Sequence, residues 1–139
     1  MIARDSFVAA LPKTHRLARR TVIDPRRLAD EPFISFRPGS VGDQWVRTIG
    51  RSAGFEPNLI LTSEVGSSIA QLIGDGLGVT FLQKNTIGKM LTHDVTFVEL
   101  DPPVELTAAL CWDGRKPQSS AAREFREFVL ARAAACDSA

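Results

Sequence analysis

The sequence predicts an α/β fold with three layers, in which helices cover both faces of a mainly parallel sheet. The first observation is that short apolar runs such as FISF (33–36) and VTFL (79–82) show no alternation. Such runs are typical of strands buried on both faces. The second is helical spacing between these runs, as in Ile69, Leu72 and Ile73. Strands that alternate with helices favour parallel strands joined by right-handed crossovers.

The predicted elements follow one another with short connections. Strand signals occur, in chain order, at 7–11, 33–36, 59–62, 79–82, 95–100 and 106–112. Helix signals occur at 25–29, from Ser40 to Gly54, at 67–75, more weakly at 86–91, and from Ser119 or Ser120 to about Ala134. The residues expected in the core are Phe33, Ile34, Leu59, Leu61, Ile69, Leu72, Ile73, Val79, Phe81 and Leu82.

Capping and turn residues justify the boundaries of these elements. Asp24 precedes Pro25, which is the usual order of a helix cap followed by proline in the first turn. Ser40 follows the turn residues Arg37–Gly39 and can cap the next helix, which has Asp43 in its first turn and Trp45 on its apolar face. Glycines 74, 76 and 78 predict a tight turn out of the helix at 67–75, because glycine adopts positive φ without a Cβ clash.

Composition limits the classes of function. The chain has 139 residues, so we expect one domain. Its net charge is only +1, so we do not expect this chain to bind nucleic acid through a basic surface. Two unclustered cysteines, Cys111 and Cys136, suit a reducing compartment better than a disulfide framework. No apolar run reaches membrane-spanning length and no signal peptide opens the chain. We therefore expect a cytoplasmic protein without a membrane partner.

The sequence contains no local signature of catalysis or of cofactor binding. The segment 74–78 is not a dinucleotide loop, because its glycines fall two apart and it precedes a strand instead of following one. His15 and His93 stand in polar loops without neighbouring ligands, and a lone loop histidine is usually solvated. No nucleophile–base pair is apparent. We expect no enzyme activity, no cofactor and no metal.

Two helix starts qualify as a binding site. In parallel sheets, ligands bind beyond the carboxyl ends of the strands, beside helix N-termini that attract anions. RPGS (37–40) follows the strand at 33–36, and SEVGSS (63–68) follows the strand at 59–62. Arg37 adds a guanidinium fork suited to a carboxylate. The alternatives are that the serines only cap helices and that Arg37 is a solvated turn residue.

Four motifs in order resemble the effector-binding domain of LysR-type transcriptional regulators. They are FVAALPKTHRLA (7–18), LADEPFISF (28–36), GDGLGVTFLQ (74–83) and ELTAALCWDGRKPQSSAAREFREFV (105–129). That domain is similar to the two-lobed periplasmic solute-binding proteins of type 2. The resemblance covers only the later part of the domain: the second lobe at about 12–105, crossover strands at 7–11 and 106–112, and a C-terminal helix at 119–134. The family's DNA-binding region has no counterpart in this chain.

The resemblance implies a function and a set of residues. In the family, a small carboxylate or aromatic acid binds in the cleft between the lobes and modulates DNA binding by a separate helix-turn-helix region. Carried onto this sequence, the effector-binding residues are Arg37, Gly39, Ser40, Ser67 and Ser68. Two other functions stay open. One is a stand-alone solute-binding lobe without a role in transcription, and the other is an enzyme on the same architecture.

The last predicted helix also implies a partner. Its apolar side consists of Ala122, Phe125, Phe128, Val129 and Ala133. In the resembled domain this helix packs on the first lobe, which this chain lacks. Because an uncovered apolar face is unfavourable in water, we expect a homodimer or an exchange of the C-terminal segment between two copies.

Overall fold

The computed structural model describes residues 2–89 and 94–136. Its helices are α1 (Val41–Ser52), α2 (Gly66–Gly74) and α3 (Ser120–Cys136). Its strands are β1 (Ala3–Pro12), β2 (Val22–Ile23), β3 (Pro32–Phe36), β4 (Asn58–Ser63), β5 (Thr80–Gln83), β6 (Val95–Leu100) and β7 (Glu105–Ala108). Short 3₁₀ turns lie at Pro25–Leu28 and Lys84–Lys89.

The chain divides into two compact units. One comprises residues 6–104, and the other combines the start of the chain, up to Asp5, with the segment from Glu105 onward. The second unit contains β7 and α3, and its strand β7 pairs with β1. There the backbone N–H of Ile2, directly before β1, donates to the carbonyl of Ala108 over 2.8 Å.

The large unit is built on a mixed sheet. Strands β2, β6, β1 and β5 lie side by side in that order, and a bridge between Phe33 and Val79 brings β3 next to β5. β2 runs parallel to β6, β3 runs parallel to β4, and the bridge is parallel. β1 is antiparallel to both β5 and β6. The predicted α/β class is confirmed.

The core lies between the sheet and the two helices of this unit. Ile34 and Leu82 are buried in one cluster with Ile69 and Ile73 of α2. Side chains alternate along a strand, so Phe33 faces the other side, where α1 contacts β3 and β5. Phe33 is fully buried and its ring lies 5.3 Å from that of Phe81. Both faces are therefore covered, as the unbroken apolar runs predict.

The predicted burial of β4 is wrong in part. Leu59 is half-buried, but Leu61 is 40% exposed and Ile60 is 46% exposed. The reason is position: among the described residues β4 pairs only with β3, so one edge of the strand remains free. Leu72 on α2 is half-buried and packs against the cluster around Ile34.

Several predicted boundaries differ from those in the structure. β1 extends beyond both ends of the predicted segment 7–11, and β7 ends at Ala108 instead of reaching Trp112. The helix predicted at 86–91 corresponds to the 3₁₀ turn Lys84–Lys89 as far as the described residues extend. His93 lies outside the described residues.

His15 is not the solvated residue that its loop suggests. Its side chain is 10% exposed, and its Nε2 lies 2.9 Å from Oε1 of Glu31. Its Nδ1 accepts the backbone N–H of Leu17 over 3.1 Å. In the neutral ring one nitrogen accepts and the other donates, so these two contacts select the tautomer protonated at Nε2. His15 thus fastens the loop after β1 to the segment before β3.

Candidate functional site

The loop that connects β3 to α1 is shaped by one glycine and one serine. Gly39 has φ of +79°, a left-handed conformation that favours glycine. Ser40 is the N-cap of α1, and its Oγ accepts the backbone N–H of Asp43 over 3.3 Å. The predicted cap is therefore confirmed. Together the two residues turn the chain from the carboxyl end of β3 into the helix.

The buried carboxylate of Asp43 accepts hydrogen bonds from three groups around this loop. The residue is only 3% exposed, and its carboxylate accepts the Ser35 hydroxyl at 3.0 Å, the Gly39 N–H at 3.2 Å and Nε of Arg47 at 3.1 Å. Burial alone raises the pKa of the Asp43 carboxyl, but these donors outweigh it and lower the pKa below its usual 3.8. Sequence reasoning identified Asp43 only as a charge in the first turn. Nothing in the sequence indicates that Asp43 is buried.

Arg37 and Ser40 line a shared concave surface. This concavity of about 380 Å³ is bounded by Phe36, Arg37, Ser40 and Glu64. Nε of Arg37 lies 3.7 Å from Oε1 of Glu64, and both side chains are about 70% exposed, at 68% and 73%. A surface pair of this geometry is weak, so the Arg37 fork keeps donors available to a ligand.

Ser67 and Ser68 are close in sequence to this concavity but do not line it. Both lie in the first turn of α2 and are exposed. They do not cap the helix: its N-cap is Val65, which supplies no side-chain hydrogen bond. The first N–H groups of α2 thus lack a capping side chain. The role of Ser67 and Ser68 stays a prediction.

An apolar pocket adjoins the concavity. Its volume is about 390 Å³, and its lining includes Phe7, Phe36, Ser40, Trp45, Phe81 and Thr86. The rings of Phe7 and Trp45 lie 4.7 Å apart with their planes tilted by 33°. Phe36 and Ser40 line both the pocket and the concavity. Polar donors and an aromatic cavity therefore meet at the start of α1.

Sequence reasoning missed this pocket. It assigned Trp45 to the apolar face of α1, where the residue is half-buried, and Phe36 to a buried strand. The available signal was Gly42 in the first turn of α1. A Cβ at Gly42 would lie 2.5 Å from the Phe36 ring, so only glycine allows the ring to pack against the helix.

A further cavity of about 400 Å³ lies elsewhere in the large unit, among Asp24, Arg26, Ile49, Gly54, Pro102 and other residues. Asp24 and Arg26 at its rim are paired with each other. The hydrogen bond from Arg26 lowers the pKa of Asp24. The cavity therefore offers mainly apolar surface and no free charged pair for chemistry.

The fold is that of a lobe of the two-lobed, type 2 periplasmic-binding-protein-like domains. The model of the LysR substrate-binding domain family matches residues 2–134, and the chain belongs to that family. The family consists of effector-binding domains of transcriptional regulators and not of enzymes. It binds small-molecule effectors.

Individual relatives agree with this assignment. The chain is 28% identical over 129 residues to an uncharacterized HTH-type transcriptional regulator, YwbI, of Bacillus subtilis, covering 92% of this chain and 43% of the regulator. The effector-binding domain of QuiR in complex with shikimate superposes with a TM-score of 0.69 at 16% identity, covering 93% of this chain and 61% of that one. The BenM effector-binding domain with benzoate gives a TM-score of 0.62 at 19% identity, covering 75% and 50%.

These likenesses to solved structures show the fold. The chain spans less than half the length of the regulator that it matches. Of the helices in the described residues, none is long and apolar enough to cross a membrane.

Proposed function

We propose that this chain is the ligand-sensing part of a LysR-type transcriptional regulator and that its effector is a small carboxylate. The observation that carries the proposal is the shared lining of the two cavities. Phe36 and Ser40 border both the concavity that contains Arg37 and the aromatic pocket. A ligand with a carboxylate and an apolar body would contact both. Shikimate and benzoate, bound by two structural relatives, are both small carboxylates, and benzoate has an apolar ring.

Each candidate residue has a proposed role. Arg37 supplies the guanidinium fork, which pairs with a carboxylate more strongly than a neutral donor does. Gly39 fixes the loop, and Ser40 presents its hydroxyl at the start of α1. Ser67 and Ser68 lie in the first turn of α2, which lacks a side-chain cap, so its backbone N–H groups attract negative charge.

Regulation would follow from a change in population. An effector that binds one arrangement of the lobes more tightly shifts the regulator towards it, and DNA binding changes at a distance. The helix-turn-helix region that contacts DNA would lie outside this chain, in a cytoplasmic regulator. A lobe that only carries solute is less well supported, because the matched full-length relative is an HTH-type regulator.

A thermal-shift screen of small carboxylates tests the proposal. The screen uses this chain and the longer protein that contains both lobes. An effector should raise the melting temperature in proportion to the logarithm of its concentration. Arg37→Gln should weaken binding about tenfold, the loss expected for one charge-assisted hydrogen bond.

The matched control is Arg20→Gln, which changes another exposed arginine of the same unit. It should leave the thermal shift unchanged. The proposal fails if Arg37→Gln and Arg20→Gln respond alike to every carboxylate that stabilises the parent protein.

We propose in addition that two copies of the chain associate through α3. Phe125 and Phe128 on the predicted apolar side of α3 are each 60% exposed, whereas Val129 is half-buried and Ala133 is buried. A single copy leaves these two rings exposed, whereas a two-fold pairing covers them with an identical face.

A further inference from the structure

A small cavity lies beside the start of α3, in the unit that contains the end of the chain. Its volume is about 180 Å³. Side chains from the turn after β7 and from the first two turns of α3 form its walls, including Trp112, Asp113, Lys116, Gln118, Arg123 and Arg126. None of these residues belongs to the candidate effector surface.

Positive charge dominates the lining. Lys116, Arg123 and Arg126 contribute three cationic groups, and Asp113 contributes the only carboxylate among the described lining residues. That carboxylate is already engaged in the turn: it accepts the backbone N–H of Arg115 over 3.0 Å and its Nε over 3.4 Å, and its Oδ2 lies 4.0 Å from Nζ of Lys116. Asp113 therefore shapes the cavity and neutralises only part of its charge.

Arg126 is held in place without a charged partner. Its Nη1 donates to Oε1 of Gln118 over 2.8 Å, and its guanidinium carbon lies 5.2 Å from the ring centroid of Trp112. Within residues 2–89 and 94–136, no carboxylate lies within ion-pair distance of Arg126 or Arg123. Stacking on tryptophan leaves the edge donors of the guanidinium that Gln118 does not use available to a ligand.

The acidic residues of α3 lie outside the lining of this cavity. Glu124 and Glu127 are exposed and are not part of the lining. Two arginines and one lysine thus line a space of about 180 Å³, which accommodates a group of only a few atoms. Such a cluster is unfavourable when empty at low salt and favourable around a compact anion.

We propose that this cavity binds a small oxyanion of the phosphate or sulfate class. A preorganised guanidinium pairs with two oxygens of such an anion, and a second arginine and a lysine contact the others. Trp112, which is 50% exposed, forms one wall and reports occupancy of the cavity.

Fluorescence titration with inorganic phosphate tests this site. The chain has two tryptophans, so in Trp45→Phe the emission comes from Trp112 alone. Phosphate should change this emission in a saturable way at constant ionic strength maintained with chloride. Arg126→Gln and Arg123→Gln, each in the same background, should weaken phosphate binding about tenfold. Sulfate should compete.

Two controls keep this site distinct from the effector surface. Arg20→Gln and Arg37→Gln should both retain the affinity for phosphate, and calorimetry on the unmodified chain should give the same value as the fluorescence. Circular dichroism verifies that each variant is folded. The proposal is overturned if chloride alone reproduces the change, if both lining variants bind like the parent, or if Arg37→Gln is the variant that loses binding.

Discussion

At the residue scale, the buried carboxylate of Asp43 connects the parts of the loop between β3 and α1. One buried carboxylate joins β3 through Ser35, the turn through Gly39 and the helix through Arg47. Removal of a buried acceptor costs more than the hydrogen bonds it made, because its donors are left without partners. The loop conformation therefore depends on the hydrogen bonds of Asp43 as well as on the positive φ of Gly39 at its bend.

Asp43→Ala should lower the free energy of unfolding by about 2–3 kcal/mol at neutral pH, as expected for the loss of hydrogen bonds to a buried charge. Urea denaturation measures this value. Asp30→Asn, at an exposed position, is the control and should change the free energy of unfolding by less than about 0.5 kcal/mol. An equal effect of both substitutions would contradict the role assigned to Asp43.

The lowered pKa of Asp43 adds a dependence on pH. Because its pKa is lower in the folded chain than the usual 3.8, its contribution to stability is complete above that value and is lost as the pH falls through the folded pKa. The difference in unfolding free energy between the parent and Asp43→Ala should therefore shrink in strongly acidic solution. A difference that stays constant with falling pH would show that the carboxylate is not ionised in the folded chain.

At the scale of elements, the junction between β3 and β5 requires a glycine. Val79 donates its N–H to the carbonyl of Pro32 over 2.9 Å, and Ile34 donates to the carbonyl of Val79 over 2.9 Å. A Cβ at Gly78 would lie 2.6 Å from the Pro32 carbonyl oxygen. Sequence reasoning gave the whole glycine segment one purpose, a turn. In the structure these glycines have different roles. Gly76 has the positive φ of the turn, and Gly78 permits close contact between β3 and β5.

Gly78→Ala should destabilise the chain by about 1–3 kcal/mol, the usual cost of forcing extra volume against a packed backbone. Gly88→Ala is the matched control, because a Cβ there meets nothing within 4 Å and the φ is not positive. Thermal unfolding followed by circular dichroism compares the two. If both variants melt with the parent, β3 and β5 are not as close as the bridge at Val79 implies.

Elements whose apolar residues repeat at regular spacing were predictable from the sequence. Features that depend on which strands lie side by side were not. α1 and α2 were predictable because their apolar positions repeat at helical spacing and their ends carry turn residues. The exposure of Leu61 was not, because an apolar run does not reveal whether a strand has one neighbour or two. The two-residue β2 was missed, since Val22–Ile23 is too short to form a pattern.

At the scale of the whole molecule, the α/β class follows from the order of elements, whereas the direction of β1 does not. β1 is not followed directly by β5 or β6 in the chain, so the rule for strands joined by one crossover does not give their relative direction. The candidate site was predictable to the same degree. Arg37 and Ser40 follow from the rule about strand ends, but the aromatic pocket combines Phe7 with Phe81, and only tertiary structure brings them together.

The proposed dimer consists of two copies of the chain that associate through α3. Light scattering after size-exclusion chromatography at micromolar concentration should give twice the mass of one chain. Phe125→Ser combined with Phe128→Ser should shift the mass to that of a monomer, because each buried phenylalanine contributes roughly 1.5–3 kcal/mol. The control Glu124→Ser changes the same helix at a polar position and should remain dimeric. A parent chain that is monomeric throughout this range contradicts the pairing.

The free edge of β4 has a consequence for natural variation. Ile60 and Leu61 are 46% and 40% exposed, so folding constrains them less than it constrains the buried core residues. A lysine at either position is the usual device that keeps an edge strand from joining another sheet, and β4 carries no charge between Asn58 and Ser63. Among close homologues, a persistent absence of charge at these two positions would therefore record selection for contact with another polypeptide, while drift to charged residues would record its loss.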